Sequence, residues 1–243
     1  MKTILITGGT KGIGLAVARA LLPSADRMIL TYGTDKERAE AVKAELEAEH
    51  PHLKQLLVLP SDIEAPGSAK VLADKLKEMN VIPDAVVLNA GVTNRTSFWD
   101  IEEEDWMKVL QGNLLYNIML IRHFGKLMPK GSCFVATGSL MGLHPHSVSI
   151  PYGVSKSSLH ALVKNMVKEL SPLGIRINGV IPGFIDTEWQ KNKPLEVRRS
   201  IESKIALQRF ATPDEIAKIY KMMVETDYLN GELIVVDGGY SYR

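Results

Sequence analysis

The stretch "TGSLMGLHPHSVSIPYGVSK", residues 137–156, carries a hydroxyl at Ser139, a phenol at Tyr152 and an ammonium at Lys156, four residues further on. A free phenol ionises near pH 10 and keeps its proton at neutral pH. A cation within ~4–6 Å favours the phenolate and lowers that value by about 1–3 units, toward the range of a general acid or base. On a helix the pair lies on one face at i, i+4, a spacing that plain surface neighbours also adopt. No histidine stands at triad-like spacing with an acid, so the chemistry on offer is proton transfer.

A second group opens the chain. In "TILITGGTKGIG" the glycines Gly8, Gly12 and Gly14 follow an apolar run and precede a helical pattern. Glycine is required where backbone turns tightly and approaches a pyrophosphate, and the helix N-terminus then supplies free N–H groups. A tight strand-to-helix turn would use the same residues.

The elements that must carry both groups are legible as a rhythm. Apolar runs at 3–7, 28–32, 55–59, 85–89, 133–137, 175–181 and 232–237 read as strands buried on both faces. Helical patterns over 12–22, 35–49, 67–79, 103–128, 152–171 and 213–225 alternate with them. This alternation predicts an α/β fold, a doubly wound parallel sheet of about seven strands with helices on both faces. Residues 1–243 are expected to form one domain, dinucleotide-binding and catalytic. Thr34 with Glu37 and Asp100 with Glu103 are expected capping boxes. Gly112 inside the fourth helical pattern costs about 1 kcal/mol against alanine; it fits either a backbone group turned toward water or close packing. The irregular stretch 184–212 reads as a substrate lid.

Composition narrows the function. The 243 residues are 45% hydrophobic and 23% charged with a net charge of +1. Without a basic stripe, neither nucleic acid nor an acidic membrane has electrostatic support as a partner. No apolar run approaches the ~20 residues of a membrane helix, and the first is too short for a secretory signal. The lone Cys133 forms no internal disulfide, which fits a reducing, cytoplasmic setting. His144 and His146 flank a proline without clustered acids and read as cleft-loop residues, so no metal site is expected.

The motifs "TGGTKGIG" (7–14), "SDI" (61–63), "NAG" (89–91), "GNLLYN" with Asn113, Ser139, "YGVSK" (152–156), "PGFIDT" (182–187) and "VDGG" (236–239) stand in one register. In order and interval they resemble the classical short-chain dehydrogenases/reductases over nearly the whole chain. The resemblance implies a single-domain Rossmann fold and a catalytic group of Asn113, Ser139, Tyr152 and Lys156. Tyr152 would give a proton to a substrate carbonyl, helped by a second hydrogen bond from Ser139. Lys156 would lower the phenol's pKa and bind the nicotinamide ribose, and Asn113 would position a water. Gly8, Gly9, Thr10, Lys11, Gly12, Ile13 and Gly14 would cradle the pyrophosphate. Asp62 and Ile63 would bracket the adenine, and Asn89, Ala90 and Gly91 would let the cofactor lie close. Pro182, Gly183, Ile185 and Thr187 would wrap the nicotinamide.

NAD-binding relatives usually offer an acid near the end of the second strand. Here Tyr32, Gly33 and Thr34 stand there, and Lys11 precedes the second glycine. A 2′-phosphate of roughly −2 charge is drawn to a lysine and repelled by an acid, which favours NADP(H) over NAD(H). "AGVTNRT", "IPGFIDT" and "VDGG" look most like the 3-oxoacyl-[acyl-carrier-protein] reductases, and Leu140, Met141, Phe184 and Trp189 are expected to line the substrate end. A 3-oxoacyl thioester is the expected substrate; a free small ketone, a sugar or a polyketide intermediate is the alternative. Leu173 stands where carrier-protein reductases often have arginine, with Lys126 and Lys130 the only basic residues just before the fifth strand, so an acyl carrier protein stays open as partner. A nucleotide-sensing regulator on this fold typically loses the tyrosine or lysine, and an enoyl reductase usually spaces them more widely. The family pairs its long helices into homotetramers; here Leu114, Ile118, Leu159 and Val163 either serve that interface or face the sheet.

Overall fold

Strands with no polar face are stable only between two helix layers, and the chain builds that sandwich. The computed structural model describes residues 2–145 and 149–242. One wholly parallel sheet contains β1 (Thr3–Ile6), β2 (Arg27–Tyr32), β3 (Gln55–Pro60), β4 (Ala85–Leu88), β5 (Cys133–Thr137), β6 (Arg176–Pro182) and β7 (Leu233–Val236), in the order 3-2-1-4-5-6-7. The order reverses beside β1, so a crevice opens at the carboxyl ends of β1 and β4. The glycine loop follows β1, and "NAG" follows β4.

The helices are α1 (Gly12–Leu21), α2 (Lys36–Glu49), α3 (Ser68–Glu78), α4 (Glu103–Leu110), α5 (Tyr116–Phe124), α6 (Ile150–Leu170), α7 (Glu188–Lys191), α8 (Leu195–Glu202) and α9 (Pro213–Glu225). One apolar layer joins α1, α2 and α9 to the sheet through Val17, Leu21, Leu46 and Tyr220. The other joins α3, α5 and α6 through Leu72, Leu120, Phe124 and Leu159.

Several local expectations are corrected. Asp35, rather than Thr34, caps α2 by accepting from the Arg38 N–H at 3.0 Å. Glu102 precedes α4 without a side-chain cap, so Asp100 and Glu103 form no box; Asp100 instead accepts from the Ser97 hydroxyl. A complete capping box sits at Thr212 and Glu215, with Pro213 inside the first turn of α9. The pattern 103–128 is two helices joined by a π-turn at Gln111–Leu115. Gly112 within it is closely packed, because a Cβ there would stand 3.0 Å from Val92 and 3.2 Å from Ile63. Leu159 and Val163 are buried against the sheet and offer no outer face.

The segment 184–212 is more ordered than its composition suggests, holding α7 and α8. Its base is pinned where Ile185 bridges Ala211 and the Ala211 N–H donates to the Phe184 carbonyl at 3.0 Å. Arg198 grips Asp186 with two hydrogen bonds of 2.9 and 3.0 Å and lies over the Phe210 ring.

Candidate active site

Gly8 and Gly12 have φ of +62° and +53°, the left-handed region that only glycine enters freely, and they turn β1 sharply into α1. A Cβ on Gly14 would stand 2.2 Å from the Gly8 carbonyl, so the third glycine allows the helix to close on the loop. Asn89 clamps this turn, donating from Nδ2 to the Thr7 carbonyl at 2.9 Å and the Gly8 carbonyl at 3.3 Å. The loop's concave side and the first N–H groups of α1 face a cleft of ≈ 1270 Å³. A polar backbone cradle at a helix N-terminus fits a phosphate-bearing group.

The cleft gathers most of the residues singled out by motif. Gly8, Thr10, Lys11, Gly12 and Ile13 form its floor, with Tyr32, Gly33 and Thr34 at one end. Asp62, Ile63, Asn89, Ala90 and Gly91 form one wall; Pro182, Gly183, Ile185 and Thr187 form the other. Ser139, Tyr152 and Lys156 stand between them, and Leu140, Met141, Phe184 and Trp189 line the far end. Three expected residues lie elsewhere. Gly9 is packed against Leu30, Gly14 is buried in the turn, and Asn113 lies behind the wall with no exposed surface. His144 hydrogen-bonds Ser241 at 2.9 Å, and His146 is outside the described residues.

α6 begins at Ile150, with Pro151 in its first turn, so Tyr152 and Lys156 occupy successive turns on one face. The phenol and the Ser139 hydroxyl line the cleft together. Lys156 Nζ lies 5.6 Å from the centre of the Tyr152 ring and donates to the Thr137 carbonyl at 2.7 Å. Both side chains are buried, at 8% and 2% exposure. That burial decides the electrostatics. It pushes the Tyr152 phenol up to about 12, opposed by the Ser139 hydroxyl, and the Lys156 ammonium down to about 8. The expectation that Lys156 would draw the phenol downward is not met, because burial is the leading influence on both groups.

Asn113 is a clamp. Its Oδ1 accepts from the Val92 N–H at 2.8 Å, its Nδ2 donates to the Val92 carbonyl and to Ser155 Oγ at 2.9 Å each, and its carbonyl accepts from Asn117 at 2.8 Å. The end of β4 is thereby fastened to α6 beside Lys156.

Two contributors escaped the sequence argument. Arg38 lines the cleft beside Thr34, donates to the Thr10 carbonyl at 3.2 Å and pairs with Glu188 on α7. A cation in the first turn after the second strand was the signal. His160, two turns along α6 from Tyr152, accepts the Ser139 N–H at Nε2, 3.3 Å away. Burial, aided by the charges of Lys156 and Lys164, pushes its imidazole down to about 4. In an unfolded chain it titrates near 6.5. Between those values the unfolded state binds more protons, so stability rises with pH from about 4 to 6.5. Urea denaturation at pH 7 and pH 5 should show the wild type losing more stability on acidification than His160→Gln; equal losses would contradict this assignment.

Comparison with known proteins agrees with this geometry. Residues 8–241 match the family model described as "Enoyl-(Acyl carrier protein) reductase". The chain is 32% identical to the uncharacterized oxidoreductase YmfI of Bacillus subtilis over 245 residues, covering 98% of each chain. It is 29% identical to the 3-oxoacyl-[acyl-carrier-protein] reductase FabG of Aquifex aeolicus, covering 98% of this chain and 96% of that one. Its fold is similar to a short-chain dehydrogenase from Burkholderia cenocepacia crystallised with NADP, at a TM-score of 0.91 and 28% identity, covering 99% and 98% of the two chains. A glycine cradle at the sheet's switch point, a Tyr-x-x-x-Lys pair beside it and a match along the whole chain lead to one assignment: this protein is an oxidoreductase of the short-chain dehydrogenase/reductase family.

Proposed function

We propose that the chain is an NADP(H)-dependent reductase that converts the ketone of a 3-oxoacyl thioester into a secondary alcohol. The observation that carries this reading is the pair of hydroxyls, Ser139 and Tyr152, lining one cleft wall with the Lys156 ammonium 5.6 Å from the Tyr152 ring centre. Two donors converging on one point suit an oxygen that gains negative charge.

NADPH, held by the glycine cradle, would supply the hydride for the carbonyl carbon. Tyr152 gives its hydroxyl proton to the carbonyl oxygen, and Ser139 donates a second hydrogen bond to that oxygen. Lys156 stabilises the phenolate left behind, which is reprotonated from solvent. Because burial keeps the phenol protonated at neutral pH, the donor is loaded before substrate arrives. The accepting oxygen becomes alkoxide-like, about as basic as hydroxide, so the proton moves downhill even from a weakly acidic phenol. Reductive kcat/KM should fall as pH rises through about 8, where Lys156 loses its charge. Alcohol oxidation, which needs the phenolate, should climb with pH. A reductive profile flat to pH 10 would remove the ammonium from this scheme.

Lys11, Thr34 and Arg38 gather where a ribose 2′-phosphate would lie, and no acid stands at Tyr32. Glu188 occupies Arg38 from the lid side, so a 2′-phosphate would compete with it. The four-residue spacing of Tyr152 and Lys156 favours a ketone over an enoyl substrate, as does the similarity to the Aquifex aeolicus reductase. Segment 184–212, with Trp189 edge-on to the Tyr152 ring at 5.8 Å, would close over the substrate. Loss of NADPH absorbance should be faster with acetoacetyl thioesters than with cyclic ketones, sugars or steroids. A steroid or sugar turned over faster would overturn the thioester part.

A further inference from the structure

Past Tyr152 the cleft runs between the loop after β4 and the lid, and two cations line it there, Arg95 and Lys193. Arg95 follows Asn94, whose carbonyl accepts a hydrogen bond from the Ser149 hydroxyl at 2.5 Å; Ser149 immediately precedes α6 and its Tyr152. Lys193 follows α7, its N–H donating to the Gln190 carbonyl at 3.1 Å, and α7 sets Trp189 against the Tyr152 ring. The loop of Arg95 is thus tied to the start of α6, and the segment of Lys193 touches the Tyr152 ring through Trp189.

Of the other basic residues lining the cleft, Arg38 is matched to Glu188 and Lys108 to Glu104 and Asp105, and Lys156 donates to the Thr137 carbonyl; Lys11 and Lys204 have no carboxylate partner among the described residues. Among the described residues Arg95 and Lys193 enter no such ion pair. They are close enough for charge to matter, since partial burial and then the Arg95 charge hold the Lys193 ammonium below its ordinary value. Two like charges near each other on a cleft wall are unfavourable alone and concentrate anions between them. Two positive charges match one phosphate.

We propose that Arg95 and Lys193 bind a phosphate on the thiol arm of the substrate, so that the enzyme selects phosphate-bearing 3-oxoacyl thioesters over neutral ones. This rests on the thioester reading above. Coenzyme A and the phosphopantetheine arm of a carrier protein offer the same chemistry.

Initial rates of NADPH oxidation test it with three substrates carrying one acetoacetyl group: the coenzyme A ester, a carrier-protein ester and the N-acetylcysteamine ester, which has no phosphate. The wild type should show a kcat/KM about tenfold or more higher for at least one phosphate-bearing ester, mainly through KM. That advantage should shrink in about 0.5 M salt. In the Arg95→Gln/Lys193→Gln double variant the ratio of phosphate-bearing to neutral ester should collapse toward one, whereas Lys193→Arg should preserve it. An NADPH titration verifies that each variant is folded. Whichever phosphate ester gains more identifies the source. Equal rates with all three esters in the wild type, or an advantage that survives the double variant, would overturn this inference alone. Reduction of none of them would overturn the thioester reading and the inference with it.

Discussion

Tyr152→Phe should lower kcat/KM for ketone reduction by about 10²- to 10⁴-fold, the range of a positioned general acid, while NADPH dissociation changes only a few-fold. The substitution deletes one hydroxyl and leaves the ring, which stays buried with its edge contact to Trp189. The Ser139 hydroxyl still accepts from the Met141 N–H at 3.2 Å, so the 139–141 turn is retained. Folding therefore loses about 1–3 kcal/mol at most, and lost turnover reports on the proton. Stopped-flow rates and a fluorescence titration with NADPH separate the two readouts. A variant with near-wild-type turnover would remove Tyr152 from the chemistry, and one that no longer bound NADPH would make its role positional.

Removing the two cations at the other end of the cleft should change cofactor choice. In Lys11→Ala/Arg38→Leu the NADPH dissociation constant should rise about 100-fold or more, since a charge-assisted hydrogen bond contributes about 1.5–3 kcal/mol. NADH, with no 2′-phosphate, should lose little. Arg38 also donates to the Thr10 carbonyl, so part of the effect could arise from a disturbed glycine loop. NADH is the control, because loop damage weakens both cofactors alike. Glu188→Gln acts in the opposite direction: with the competing carboxylate gone from Arg38, NADPH should bind more tightly and NADH unchanged. Equal losses of NADPH and NADH in the double variant would contradict a 2′-phosphate site here.

The doubly wound parallel sheet of about seven strands, the glycine turn and the Tyr152–Lys156 face were legible because each rests on local grammar. Apolar runs without a polar face need two helix layers, Gly8 and Gly12 mark left-handed backbone, and i, i+4 residues share a helix face. What stayed hidden depends on contacts between distant segments. Gly112, in the π-turn beside Asn113, packs against Ile63 and Val92, which no window around residue 112 contains. Arg38 meets Glu188 from 150 positions away. The phenol's acidity was misjudged for a related reason: spacing reveals that an ammonium is near, whereas burial by surrounding elements decides which form of each group survives. Helices α7 and α8 were missed because they are short, of four and eight residues.

The account stands on a proton held by Tyr152 and made available by the charge around it. The most direct measurement is the ionisation of that phenol, followed by carbon-13 NMR of labelled tyrosine with Tyr152→Phe assigning the signal. Without nucleotide, Tyr152 should stay protonated through pH 10, in line with a value near 12; with saturating NADP⁺, whose ring adds positive charge, ionisation should move down by about one unit or more. A phenol that titrates near 10 in both states, like any exposed tyrosine, would contradict the account.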